Sequence, residues 1–230
     1  MRILAFDTST AWMSVAVSSG ETWHVEAERT GPAAAGRLLP AIDTLLRAAQ
    51  LTLADLDAIA FGAGPGAFTG VRLACSVAQG LAFGAGVAVV AVPTLAALAQ
   101  AAWRERQAKR VFACLDARMR EVYVAAYARG EGGWTTLREP AVLHPDDVAL
   151  PPGGGWQGEG DGFAVYPQLT ALEGLVRAEP GAAPDARAIG ELAQVEIAAG
   201  RATTAEDARP LYVRHRVALT TAERDAGARL

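Results

Sequence analysis

The sequence predicts an α/β protein of two lobes, each a mixed β-sheet with helices, the second lobe reduced. Three observations predict it. Strand-like runs open the chain and then alternate with helical stretches. A glycine-rich turn, Phe61 to Arg72, joins an apolar strand to a long apolar helix. The opening pattern then restarts at Arg110, as a weak internal repeat.

In order, Arg2 to Asp7 and Trp12 to Ser18 read as strands joined by a polar turn, and Glu21 to Glu28 as a third strand. Thr30 to Gly36 reads as a loop. Leu38, Leu39, Ile42, Leu45, Leu46 and Ala49 then fall at helical spacing. Strand Asp57 to Phe61, the glycine turn, helix Gly70 to Phe83, strand Val87 to Val92 and helix Thr94 to Arg106 follow. Thr69 is the expected N-cap of the glycine-turn helix. Residues 1–106 make the expected first lobe and 107–230 the second.

The second lobe opens with strand Arg110 to Asp116, a polar turn and strand Val122 to Tyr127. Gly130 to Gly133 reads as a hairpin turn before Trp134 to Leu137. Pro151 to Gly155 is a loop leading into Trp156-Gln157-Gly158. Asp185 to Ala199 reads as a helix capped by Asp185, with Gly200 past its end. Thr220 to Leu230 reads as a fraying tail.

The chain has 230 residues, 51% of them hydrophobic and 20% charged, so it holds a sizeable core. Its net charge of −4 argues against a stand-alone nucleic-acid binder. Cys75 and Cys114 read as buried free thiols of a reducing compartment, and a cytoplasmic location is expected. No charge falls between Leu73 and Trp103, but Gly84, Gly86 and Pro93 break that stretch, which excludes a membrane span. His24, His144 and His215 form no paired ligand motif, so no metal site is expected.

The repeat pairs Ile3-Leu4-Ala5-Phe6-Asp7 with Phe112-Ala113-Cys114-Leu115-Asp116. Two such halves facing one another place Asp7 and Asp116 at strand ends lining an interlobe cleft, as in actin-like ATPases. In that class the Asp7-Thr8-Ser9-Thr10 turn would hold phosphates. Equally, its hydroxyls satisfy turn N–H groups. The glycine turn has two readings as well, an anion cradle or a tight junction. Asp7, Thr8, Ser9, Gly64, Gly66 and Asp116 are therefore the candidate nucleotide or anion contacts. The second turn, Asp116 to Glu121, carries bulky Arg118, Met119 and Arg120. Those residues reshape any phosphate cradle, and their charges either bind an anion or are solvated.

Helix 70–83 is apolar nearly all round, apart from Arg72, Ser76 and Gln79, and helix 37–49 is broadly apolar too. Burial within the monomer is one reading. The other is a two-helix face for a partner, through Leu38, Ile42, Leu45, Val71, Ala74, Ala78 and Leu81.

The N-terminal Met1 to Ser9, the turn Gly62 to Arg72, Asp116-Ala117-Arg118 with Glu121-Val122-Tyr123, and Pro210-Leu211-Tyr212-Val213-Arg214 resemble the TsaB (YeaZ) family. The resemblance implies an actin-like (ASKHA) fold and a role in making N6-threonylcarbamoyladenosine at position 37 of tRNA. It implies a non-catalytic subunit that pairs with TsaD through helices of the first lobe, with TsaE also required. ATP or ADP would enter within that complex, tRNA only through it, and a homodimer without TsaD stays open. Aligned with the metal-binding His pair of TsaD, this chain has Thr94 and Leu98. Many relatives carry a His before the first helix; here the stretch is Pro32 to Arg37. An independent ATP-dependent, kinase-like enzyme of the same fold is the alternative. A metallopeptidase is disfavoured by the missing His pair.

Overall fold

The computed structural model describes residues 1–214. The expectations on His215 and on residues 220–230 lie outside the described residues.

The first sheet holds β1 (Ile3–Asp7), β2 (Trp12–Ser19), β3 (Thr22–Arg29), β4 (Ala58–Gly64) and β5 (Ala88–Pro93), in the order β3-β2-β1-β4-β5. β1, β2 and β3 form an antiparallel meander, and β4 and β5 run parallel to β1. β1 and β4 are buried on both faces, which explains their unbroken apolar runs. Leu4 and Phe6 face one core with α1 (Ala34–Ala48) and α2 (Phe68–Ala85). Ile3 and Ala5 face the opposite core, with α3 (Thr94–Arg106) and α5 (Ala186–Ala198).

The second sheet holds β6 (Arg110–Arg118), β7 (Glu121–Gly130), β8 (Gly133–Leu143), β9 (Trp156–Glu159) and β10 (Leu175–Glu179), in the order β10-β9-β6-β7-β8. Read from its other edge, this is the strand order of the first sheet. β6, β7 and β8 are antiparallel, and β9 and β10 run parallel to β6. The internal repeat therefore extends over five strands in each lobe. The reduction lies in the helices: between β9 and β10 there are one turn of α-helix, α4 (Gly162–Val165), and a 3-10 helix, Pro167–Ala171.

The helix α3 packs against both lobes. Ala97 and Ala101 enter the core under the first sheet, while Leu95, Leu98 and Ala102 pack on Val111, Ala113 and Leu115 of the second. Arg104 pairs with Asp185 at 2.6 Å, and Arg106 pairs with the buried Glu159 at 2.8 Å.

Several expectations need correction. The helix α5 packs on β1, β2, β4 and β5, so residues 186–198 belong with the first sheet and the division at 106/107 fails for them. The stretch 30–36, expected as a loop, holds a 3-10 turn and the start of α1 at Ala34. Thr69 does not cap α2. Its N-cap is Ala67, extended at ψ 123°, because the backbone turns earlier, at Gly64 to Gly66. Leu38, Ile42, Leu45, Val71, Ala74 and Ala78 are buried in the chain's own core, and Leu81 is partly buried. Their spacing marks the inward stripe of each helix. The outward stripes carry Leu39, Asp43 and Arg47 on α1, and Arg72, Ser76, Gly80 and Phe83 on α2. Phe83 is 73% exposed.

Ala74 and Ala78 have no exposed surface. Ala74→Arg or Ala78→Arg would bury an unpaired charge and is expected to destabilise the fold by several kcal/mol, about 3 or more. Phe83→Ala should change stability by less than about 1 kcal/mol. Urea denaturation followed by circular dichroism separates the two; a stable Ala78→Arg protein would contradict the assigned core.

Candidate functional site

A cleft of about 1080 Å³ lies between the lobes. One wall is the β1–β2 turn, Thr8 to Ala11, with Pro65 to Leu73 leading into α2. The other is Leu115 to Met119 with Asp161. Leu211 to Arg214 run across it. Thr8, Ser9, Gly66 and Asp116 of the predicted contacts thus line one cleft. Asp7 and Gly64 do not line it: Asp7 is fully buried behind the wall, on the α5 face of the sheet.

The glycine turn owes its composition to backbone packing. A Cβ on Gly66 would sit 2.5 Å from the Ser9 carbonyl oxygen, and one on Gly70 would sit 1.8 Å from that of Thr8. The Ala67 amide donates to the Ser9 carbonyl at 2.7 Å, and the Thr8 hydroxyl donates to the Gly70 carbonyl at 2.7 Å. The start of α2 is thereby pressed into the first turn. The Ser9 hydroxyl and amide both donate to Asp7 Oδ1, at 2.8 and 2.9 Å. Both predicted phosphate-binding hydroxyls are engaged within the protein.

Asp7 Oδ2 is buried without a hydrogen-bond partner among the described residues. Gly62 makes room for it, since a Cβ there would lie 1.8 Å from Oδ2. Burial drives the Asp7 pKa up to about 7, against the lowering effect of the Ser9 hydrogen bonds; Asp185 raises it further.

The second wall has its own carboxylates. The Asp116 amide donates to Asp161 Oδ1 at 3.0 Å, and burial raises the Asp161 pKa above the usual carboxylate range. Asp116 accepts from the Arg118 amide at 2.9 Å and pairs with its guanidinium at 2.9 Å. Arg118, Met119 and Arg120 have φ of 60°, 54° and 62°, three consecutive left-handed residues without glycine. Each costs about 1 kcal/mol. No residue of this turn is small enough to let a phosphate reach the backbone closely, apart from Ala117.

Asp161 is absent from the sequence-based candidates, and Leu211 to Arg214, named there only for the family resemblance, also line the cleft. A signal for the first was present: Gly158, Gly160 and Gly162 repeat the spacing of Gly62, Gly64 and Gly66, each set at the end of its lobe's fourth strand. Gly160 and Gly162 pack on Cys114, as Gly62 packs on Asp7. Thr94, which the resemblance sets against the first TsaD histidine, accepts from the Gly64 amide at 2.9 Å. Leu98, set against the second, is buried in the α3 core.

Two five-stranded sheets of one topology, a spanning helix and a cleft between strand-end turns define a two-lobed protein of the actin-like class. The family model described as "TsaD: tRNA N6-adenosine threonylcarbamoyltransferase" matches residues 28–215. The chain is 40% identical to the tRNA threonylcarbamoyladenosine biosynthesis protein TsaB of Escherichia coli K12, over 95% of this chain and 96% of that one. The Haemophilus influenzae protein of the same description is 39% identical, over 94% and 95%. YeaZ from Pseudomonas aeruginosa superposes with a TM-score of 0.84 at 42% identity, covering 92% of this chain and all of that one. A P. aeruginosa protein described as similar to peptidase YEAZ superposes with a TM-score of 0.87 at 41% identity, covering 93% and 99%. The chain belongs to the TsaB (YeaZ) family. Among the described residues no helix is long and apolar enough to cross a membrane.

Two predictions follow from this geometry. Gly70→Ala drives a methyl group into the Thr8 carbonyl and should lower stability by about 2 kcal/mol or more. Gly80→Ala meets open space within the same helix and should raise it by about 0.5–1 kcal/mol. Equilibrium urea melts of both variants check the pair; equal effects would contradict the packing role.

The second concerns Asp7. Its folded pKa of about 7 lies above the unfolded value of 3.8, so the folded state holds the proton longer. This group's contribution is intact below pH 4, is lost as pH rises towards 7, and stays lost above it. Asp7→Asn removes that titration. The stability difference between variant and parent should shift in the variant's favour between pH 5 and pH 8. Melts at both pH values measure it, and a difference independent of pH would contradict the assignment.

Proposed function

We propose that this chain is a non-catalytic subunit of the bacterial machinery that makes N6-threonylcarbamoyladenosine at position 37 of tRNA, pairing with TsaD and supporting it. The observation that carries this reading is the use of the phosphate-side groups. The Thr8 hydroxyl, the Ser9 carbonyl, Gly66 and Gly70 are engaged in holding α2 against the first turn, and the Ser9 hydroxyl is taken up by Asp7. A turnover site needs such groups free for substrate. The relatives' printed description, tRNA threonylcarbamoyladenosine biosynthesis protein, supports the pathway.

The docking face in this reading is the outward stripe of α1 and α2, with Leu39 and Phe83 as exposed apolar anchors. The buried stripe first expected supports that face from beneath. TsaE joins the complex, tRNA is met through it, and ATP or ADP enters there. Without TsaD the same stripe pairs two copies of this chain. The independent kinase-like enzyme is not favoured: Arg118, Met119 and Arg120 crowd the second turn, where a phosphate cradle needs small residues.

Size-exclusion chromatography with TsaD, with and without TsaE and ATP, tests the pairing. Co-elution with the unaltered chain is expected, with at least about a tenfold loss of affinity for Phe83→Asp. Co-elution that Phe83→Asp and Leu39→Asp leave unchanged would overturn this docking face, and failure of the parent to co-elute would overturn the partner.

A further inference from the structure

We propose that Pro210 to Arg214 form a latch that bridges the two lobes and fixes the width of the cleft. The chain reaches this position along the first lobe. Thr203 pairs with Val89, and Gln79 donates to the Ala208 carbonyl at 3.0 Å. The Leu211 amide then donates to the Ala63 carbonyl at 2.7 Å, at the glycine turn. The Arg72 Nε donates to the Tyr212 hydroxyl at 2.9 Å, and its guanidinium lies 3.9 Å over the Phe68 ring. Phe68 and Tyr212 rings are 6.0 Å apart, so the first-lobe anchor is a cation stacked on Phe68 and hydrogen-bonded to the Tyr212 hydroxyl beside it.

Two residues on, the segment is bound to the other lobe. Arg214 donates to the Ala117 carbonyl at 3.1 Å, pairs with Glu121, and lies over the Tyr123 ring at 5.9 Å. Its side chain is 13% exposed, so the guanidinium is largely withdrawn from solvent while Glu121 stays partly exposed. Ala117 and Glu121 flank the three left-handed residues. The latch therefore grips the base of the strained β6–β7 turn and ties it to the start of α2. Arg72 and Phe68 also belong to the exposed side of α2, so a protein docking there touches the first-lobe anchor. That connects events on α2 to the separation of the cleft walls.

The mark of a latch is that loosening either end loosens both. The test is amide hydrogen exchange on the full chain carrying Tyr212→Phe or Arg214→Ala. Tyr212→Phe keeps the ring and removes the acceptor for Arg72, so it leaves the fold intact. Each variant should speed exchange at least about tenfold both at the Leu211 amide and over residues 117–123. Protection within β1, β4 and residues 110–116 of β6 should not change. A response confined to the altered end, no response at either end, or a uniform rise across both sheets would overturn the latch.

Discussion

The backbone at Gly66 and Gly70 lies against the carbonyls of Ser9 and Thr8 more closely than any side chain permits. On that contact depends the placing of α2, and with it much of the first lobe. The contact fixes where the helix starts and absorbs the Thr8 hydroxyl. It also turns the Ala74 and Ala78 stripe onto the sheet. What remains outward is Arg72, Ser76, Gly80 and Phe83. A motif that looks like a ligand cradle is a joint between two pieces of the same chain.

The second lobe repeats the plan with different fillings. Both lobes put glycines at every second position through the end of the fourth strand, and both use them to clear space behind the first strand. In the first lobe the space takes the Asp7 carboxyl; in the second it takes Cys114. Desolvation by burial raises the Asp7 pKa, and its two Ser9 hydrogen bonds offset that rise only in part. A magnesium-binding aspartate would face the cleft, whereas this one faces α5.

Much of the fold was legible because local rules act strongly there. Helix Thr94–Arg106 has the predicted bounds, Asp185 caps α5 through the Ala188 amide, and Gly130 pairs with Gly133 across a hairpin. The uncharged stretch after Leu73 divides into α2, β5 and α3, as its glycines and proline indicate. Both cysteines are buried and unpaired. What stayed hidden depends on distant partners. Tyr212 meets Arg72 across 140 positions, and no periodicity announces it. The helix α5 follows the second lobe in sequence yet packs on the first, because its alanines and Ile189 complete the core under β1 and β4. In α1 and α2 apolar residues occupy both sides, so spacing alone could not separate the inward stripe from the outward one. Nor do Arg118, Met119 and Arg120 contain the glycine that usually marks left-handed backbone.

The central claim is that the chain itself occupies the groups an actin-like ATPase would offer to phosphate. Isothermal titration calorimetry of the isolated protein with magnesium and ATP tests it most directly. The account predicts no saturable heat, corresponding to a dissociation constant weaker than about 1 mM. Saturable binding in the micromolar range, lost when Thr8 and Ser9 are replaced by alanine, would contradict it.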